Sequence, residues 1–260
     1  MTRLPVVLAV LSSRLVPFAE ATEPQSVDAG VTMAARAPPI PDTGKTVEDF
    51  VPNGYRIFDR AEADFDGDGQ PDVALGLEVE NAEGDEDDSP RVPTPRPLII
   101  LFHQPDGSYR LSARSDGAIY TGPPAVNQQF SGIRVKDRSI VLGSGAVVRE
   151  GAVGFEDTDV YRFQGRDWYL VERHQTDWNR EEGHDCPGVV PRPSEVCIRF
   201  TRSVDFDASV EEVRAELVPG KPDDHNAPRR TVTRRRAIRA APLRRLDEVF
   251  PPGHPLPSPR

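Results

Sequence analysis

The stretch Asp64-Phe65-Asp66-Gly67-Asp68-Gly69-Gln70-Pro71-Asp72 (DFDGDGQPD) lies between two runs of alternating apolar residues, and what it connects decides the fold. With Asp64 as position 1, carboxylates fall at positions 1, 3, 5 and 9 (Asp64, Asp66, Asp68, Asp72). Gly69 takes position 6, and Gln70 at position 7 offers its carbonyl. Alternating aspartates let one turn of chain gather several hard oxygens on a single cation, and the glycine makes the bend that aims the next carbonyl inward. Four such charges repel one another when nothing neutralises them. The pattern points to a calcium loop with Asp64, Asp66, Asp68, Gln70 and Asp72 as ligands; the alternative is a solvated acidic turn.

Outward from the loop the pattern is that of strands, not of a helix-loop-helix hand. Position 12, where a bidentate glutamate would sit, is Leu75, and Pro71 falls between two ligands. Val73, Leu75, Leu77 and Val79 alternate with Ala74, Gly76, Glu78 and Glu80, as in a half-buried strand, and before the loop Tyr55, Ile57, Ala61, Ala63 and Phe65 share one parity. Hairpins follow. Leu98 to Phe102 turns at Pro105-Asp106-Gly107 and returns through Tyr109, Leu111 and Ala113; Ile133 and Val135 turn at Asp137-Arg138 into Ile140 to Leu142. Val160 to Phe163 turns at Gln164 to Asp167 into Trp168 to Val171. Further strands are expected at 196–201, 214–218 and 231–238, while Val210 to Leu217 reads equally as a short helix capped by Ser209. The expected fold is all-β, mainly an antiparallel meander, blade-like or sandwich-like, with at most a short helix. The aspartate loop occurs once, so a propeller built of many copies is not expected.

A chain of 260 residues can bury a core, and its 27 prolines and 20 glycines suit loops and short strands. The expected organisation is a secretory signal over residues 1–21, a linker over 22–48, a calcium-binding β-domain over 49–250 and a loose tail over 251–260. The signal reading rests on Arg3, the apolar run Leu4 to Leu11 and the Ala19-Glu20-Ala21 cleavage pattern. No later stretch is apolar enough to span a bilayer, so the mature chain is expected to lack a transmembrane segment and to work in the periplasm or outside the cell. Calcium at millimolar level and an oxidising compartment both fit that address. Cys186 and Cys197 either close a small disulfide loop or stay as two free thiols.

Other chemistries are less well specified. His174, His184, Asp185, Cys186 and Cys197 are zinc-ligand types without a zinc spacing. Ser144 lacks the two-sided glycine pattern of a nucleophile elbow and reads as part of a strand-end glycine turn. Asp59 and Glu62 are expected to flank the calcium loop, and Trp168 to be core. The acidic run over residues 81–97 reads as a solvated loop. The net charge of −10 is uneven: residues 221–260 carry ten Lys and Arg against four acids, a net +6. In an otherwise acidic chain that basic tail suits intramolecular pairing or a solvated strand face, and nucleic acid is not expected as a partner.

The aspartate loop resembles those of the FG-GAP and VCBS class of secreted calcium-binding repeats, where D-x-D-x-D-G-x-x-D links adjacent strands of a blade. The resemblance implies side-chain ligands at Asp64, Asp66, Asp68 and Asp72 and a carbonyl ligand at Gln70. A broader likeness, over about residues 50 to 175, is to single-copy secreted bacterial proteins of unknown function that pair such a loop with R-P-L-x-I-L, D-G-S-Y and Y-x-F-x-x-x-x-W-Y-L elements. These elements lie at Arg96 to Leu101, Asp106 to Tyr109 and Tyr161 to Leu170. The expected role is an exported, calcium-stabilised, non-catalytic binding or structural protein of the envelope, with calcium and an envelope or extracellular ligand as partners. The alternative is a secreted hydrolase with catalytic carboxylates on loops of the domain.

Overall fold

The computed structural model describes residues 38–80, 96–119, 129–148, 151–220, 228–240 and 242–248. The signal segment, the acidic run as far as residue 95 and the tail over 251–260 lie outside the described residues. The chain forms two antiparallel sheets stacked as a sandwich. The first contains β1 (Thr43–Gly44), β2 (Tyr55–Ala63), β3 (Asp72–Val79), β4 (Arg96–His103) and β5 (Tyr109–Ile119), in the order β1-β5-β4-β3-β2. The second contains β6 (Gln129–Lys136), β7 (Ser139–Val148), β8 (Val153–Gln164), β9 (Asp167–Asn179), β10 (Glu195–Asp205), β11 (Val210–Pro219) and β12 (Arg230–Ala237). Its strands lie side by side in sequence order. The only helical pieces among the described residues are short 3-10 turns, including Val47–Phe50 and Leu246–Glu248. The expected turns hold: Gly107 (φ 85°), Gly165 (φ 69°) and the pair Asp137 (φ 46°) and Arg138 (φ 60°) supply the left-handed residues that tight hairpins need.

The helix alternative over Val210 to Leu217 is not realised. That segment is β11, paired with β10 from Val196↔Val218 to Asp205↔Val210, with one bulge between Cys197 and Arg199, and with β12 on the other side. Two strand partners satisfy its backbone, and Ala215, Leu217 and Val218 are buried, which outweighs a single serine cap.

The inner faces meet in a core of Leu98, Ile100 and Phe102 from the first sheet against Ile140, Leu142, Tyr161, Trp168 and Leu170 from the second. Trp168 is buried as expected, and Phe65 meets it edge to face at 5.4 Å between ring centroids. The first sheet is buried on its other face too. Val73, Leu75, Leu77, Ile99 and Leu101 pack beneath Ile40, Val47, Phe50 and Val51. Two sequence-based readings change as a result. β3 is buried on both faces rather than half-buried, and residues 38–48, assigned to the linker, are part of the fold. Short polar and proline-rich sequence concealed the two apolar anchors, Ile40 and Val47. The single parity assigned to β2 also breaks: a bulge between Ile57 and Asp59 turns Tyr55 and Ile57 to the outer cluster and Ala61 and Ala63 to the inner one.

At the other end, Cys186 and Cys197 lie at disulfide distance, with Cα atoms 6.1 Å apart. Their loop lays Val189 onto Phe200, Ala215 and Leu217. The basic tail is largely paired within the chain. Arg230 takes Glu195, Arg236 takes Glu211 and Arg234 donates to the Gly188 carbonyl. Charged residues along the outermost strand β12 also discourage pairing with another chain.

Candidate metal centre

The β2–β3 loop brings three carboxylates together. Oxygens of Asp64, Asp66 and Asp72 all lie within 4.8 Å of one another, spacing that a single cation can bridge. Asp72 opens β3 and is fully buried. Its Oδ2 accepts the N–H groups of Phe65 (2.8 Å) and Asp66 (3.3 Å), and its Oδ1 accepts that of His103 (2.9 Å) on β4. Burial pushes the Asp72 carboxyl up; the His103 and Phe65 N–H groups oppose this, and the Asp66 charge adds to the rise. Asp72 is therefore the fixed base of the site. It ties the two ends of its own loop together and the loop to the next strand.

The rest of the loop is built from successive aspartate turns. Asp64 Oδ1 accepts the Gly67 N–H (2.6 Å), Asp66 Oδ1 that of Asp68 (3.1 Å) and Asp68 Oδ1 that of Gln70 (2.7 Å). Gly67 and Gly69 have φ near +89° and +88°, so the expected bend at position 6 is present and a second precedes it. Asp68 is not one of the three converging carboxylates, and Gln70 is exposed. Phe65, between the ligands, points into the core, so alternation along the loop sends oxygens one way and an apolar anchor the other.

Asp59 and Glu62 do not support the loop. Asp59 accepts the Ile133 N–H of β6 (2.5 Å) through Oδ2 and the Arg60 N–H through Oδ1, joining the edges of the two sheets. Glu62 pairs with Arg60. The residue missed is Arg138, from the β6–β7 turn. Its Nε donates to the Asp64 carbonyl (2.8 Å), and its Nη2 lies 3.4 Å from the Phe65 carbonyl and 3.8 Å from Asp64 Oδ1. A separation of 74 residues left no local signal for this contact.

The zinc-type residues do not converge. The cysteines pair, while His174 faces Ser203 Oγ through Nδ1 (3.0 Å) and Glu172 through Nε2 (3.3 Å). This Ser-His-Glu row crosses β9 and β10, whose N–H groups are committed to the sheet ladder, so it lacks the backbone donors that acyl transfer uses. Ser144 is a buried mid-strand residue of β7, not part of a turn. The glycines beside it fit because a Cβ on Gly145 would lie 2.7 Å from the Phe155 carbonyl and one on Gly143 2.1 Å from Ser131 Oγ.

One carboxylate away from the loop is raised strongly. Burial pushes Asp157 on β8 up to about 6, against a hydrogen bond from Gln175; the charges of Asp159 and Asp177 reinforce the rise. Between the ordinary value of 3.8 and about 6 the folded chain holds this proton and the unfolded chain does not. Stability from this residue therefore falls as pH rises through that window. Asp157→Asn should gain on the wild type by about 2 kcal/mol between pH 4 and pH 7, read by urea unfolding at each pH. A constant difference across the range would show that Asp157 titrates normally.

No family model, curated protein or solved structure matches the chain.

Proposed function

We propose that the chain is an exported β-sandwich whose β2–β3 loop binds calcium as a structural cation, and that it serves as a non-catalytic binding or structural protein of the cell envelope. The observation that carries this reading is the convergence of Asp64, Asp66 and Asp72 on a base already fixed by three backbone N–H groups. An all-oxygen set favours hard cations, and an irregular loop without an octahedral frame suits calcium better than magnesium. In this reading Asp68 and the Gln70 carbonyl complete the shell, as in the FG-GAP and VCBS loops that the sequence resembles. Export is supported by the cysteine pair at disulfide distance, an arrangement typical of oxidising compartments. Among the described residues, no helix is long and apolar enough to cross a membrane. The hydrolase reading has less support: the carboxylate that burial raises to about 6, Asp157, sits mid-strand beside Gln175, not on a loop.

Calcium melting curves test the proposal. For a site of about 10 μM affinity in about 1 mM calcium, linkage contributes on the order of 2.7 kcal/mol, so a chelator should lower the melting temperature by several degrees. Asp66→Ala should melt low in both conditions and show no calcium response. Superimposed curves for the wild type would reduce the loop to an acidic turn.

A further inference from the structure

We infer that Arg138 is a positioning residue for the cation loop, and that it couples occupancy of the loop to the second sheet. The inference rests on the calcium reading above and goes beyond it, because the loop belongs to the first sheet and Arg138 to the second. Asp64 is held from two ends. Its carboxylate is one of the three converging groups, and its carbonyl accepts Arg138 Nε at 2.8 Å. Nη2 of the same guanidinium reaches toward the carbonyl of Phe65, the next residue. A cation that fixes the Asp64 side chain also fixes the carbonyls that Arg138 binds; this ordering outweighs the repulsion between the cation and Arg138 Nη2, which lies 3.8 Å from Asp64 Oδ1, and the resulting coupling is equal in both directions.

The local geometry is built around this contact. A Cβ on Gly67 would fall 2.1 Å from Arg138 Nη2, so the guanidinium occupies the space that a side chain at 67 would need. Arg138 itself has φ 60°, in a two-residue turn where glycine or asparagine is the usual occupant. An arginine tolerated there projects the fork across to the loop. Lysine at this position would keep the charge but could not present the planar donor set.

The test uses the full chain, labelled with nitrogen-15, with calcium chloride or chelator. In the wild type, calcium should shift the backbone amides of residues 64–72. It should also shift the Arg138 Nε–Hε resonance and slow its exchange with water by about tenfold, within the range of ordinary site-to-site coupling. By reciprocity, Arg138→Lys should bind calcium about tenfold more weakly, with its loop amides still shifting at saturation. Loop amides that respond while Arg138 Hε does not would overturn the coupling and leave the calcium site standing, and so would unchanged affinity in Arg138→Lys. Loop amides that ignore calcium in the wild type would remove the site and the coupling with it. The wild-type measurement decides the matter even if the variant misfolds.

Discussion

Asp72→Ala is expected to cost on the order of 4 kcal/mol of folding stability even in chelator, before any cation is counted. The carboxylate is fully buried and accepts three backbone N–H groups, from Phe65, Asp66 and His103. Alanine leaves all three without an acceptor, at about 1–3 kcal/mol each, less whatever the chain recovers by relaxing. In calcium the loss should grow by the linkage contribution, because the same carboxylate is a ligand in the proposed site. Asp66→Ala separates the two effects: Asp66 is exposed, and among the described residues its carboxylate accepts the N–H of Asp68, a solvent-facing turn contact, so its cost should be confined largely to calcium-containing buffer. Urea unfolding with and without calcium reads both quantities. If Asp72→Ala lost less than about 1 kcal/mol in chelator, Asp72 would not be the structural base of the loop.

The second large effect concerns a charge pair inside the second sheet. Asp159 on β8 and Arg173 on β9 are cross-strand neighbours, and Nε and Nη2 of the guanidinium each lie 2.5 Å from a carboxylate oxygen. Both side chains are nine per cent exposed, and Tyr161 Oη donates to the same carboxylate at 3.4 Å. Arg173→Ala would strand a buried carboxylate, and about 3–5 kcal/mol of lost stability is expected. The double variant Asp159→Leu with Arg173→Met should recover most of that loss, because the penalty comes from the stranded charge rather than from loss of the pair. Urea unfolding of the single and double variants completes the cycle. A single variant within 1 kcal/mol of wild type would place the pair in effective contact with water.

Both effects involve residues of unequal legibility in the sequence. The all-β class, the hairpin turns and the loop were readable because period-two alternation and left-handed turn residues are local signals. Asp64, Asp66 and Asp72 were readable by their spacing, but only within a larger set that also held Asp68 and Gln70, and the sequence alone did not separate the three that converge. What could not be read depended on distance along the chain. Arg138 meets the loop from 74 residues away, and Asp59 accepts a mid-strand N–H of the edge strand β6, 74 residues on. The bulge in β2 reversed a parity that looked continuous, since one extra residue exchanges the faces of all that follow. The cover supplied by Ile40 and Val47 was missed because isolated apolar residues in proline-rich sequence carry no period. No local signal marks Asp159 and Arg173 as a pair, and only the register that sets them opposite one another makes their burial tolerable.

The order of strands has a bearing on how the chain acquires its shape during synthesis. Apart from β1 beside β5, each strand pairs with its neighbours in sequence within its own sheet. A chain emerging from its N-terminus can therefore complete the whole first sheet once Ile119 is out, with only the two-residue β1 among these strands waiting for a distant partner, β5. The aspartate loop belongs to the first long hairpin to form, so a cation held there would act at the start of assembly as well as in the finished fold. Until β6 to β9 arrive, however, that sheet carries Leu98, Ile100 and Phe102 on a bare face. The period between the two sheets is when the nascent protein is most open to sticking to its neighbours.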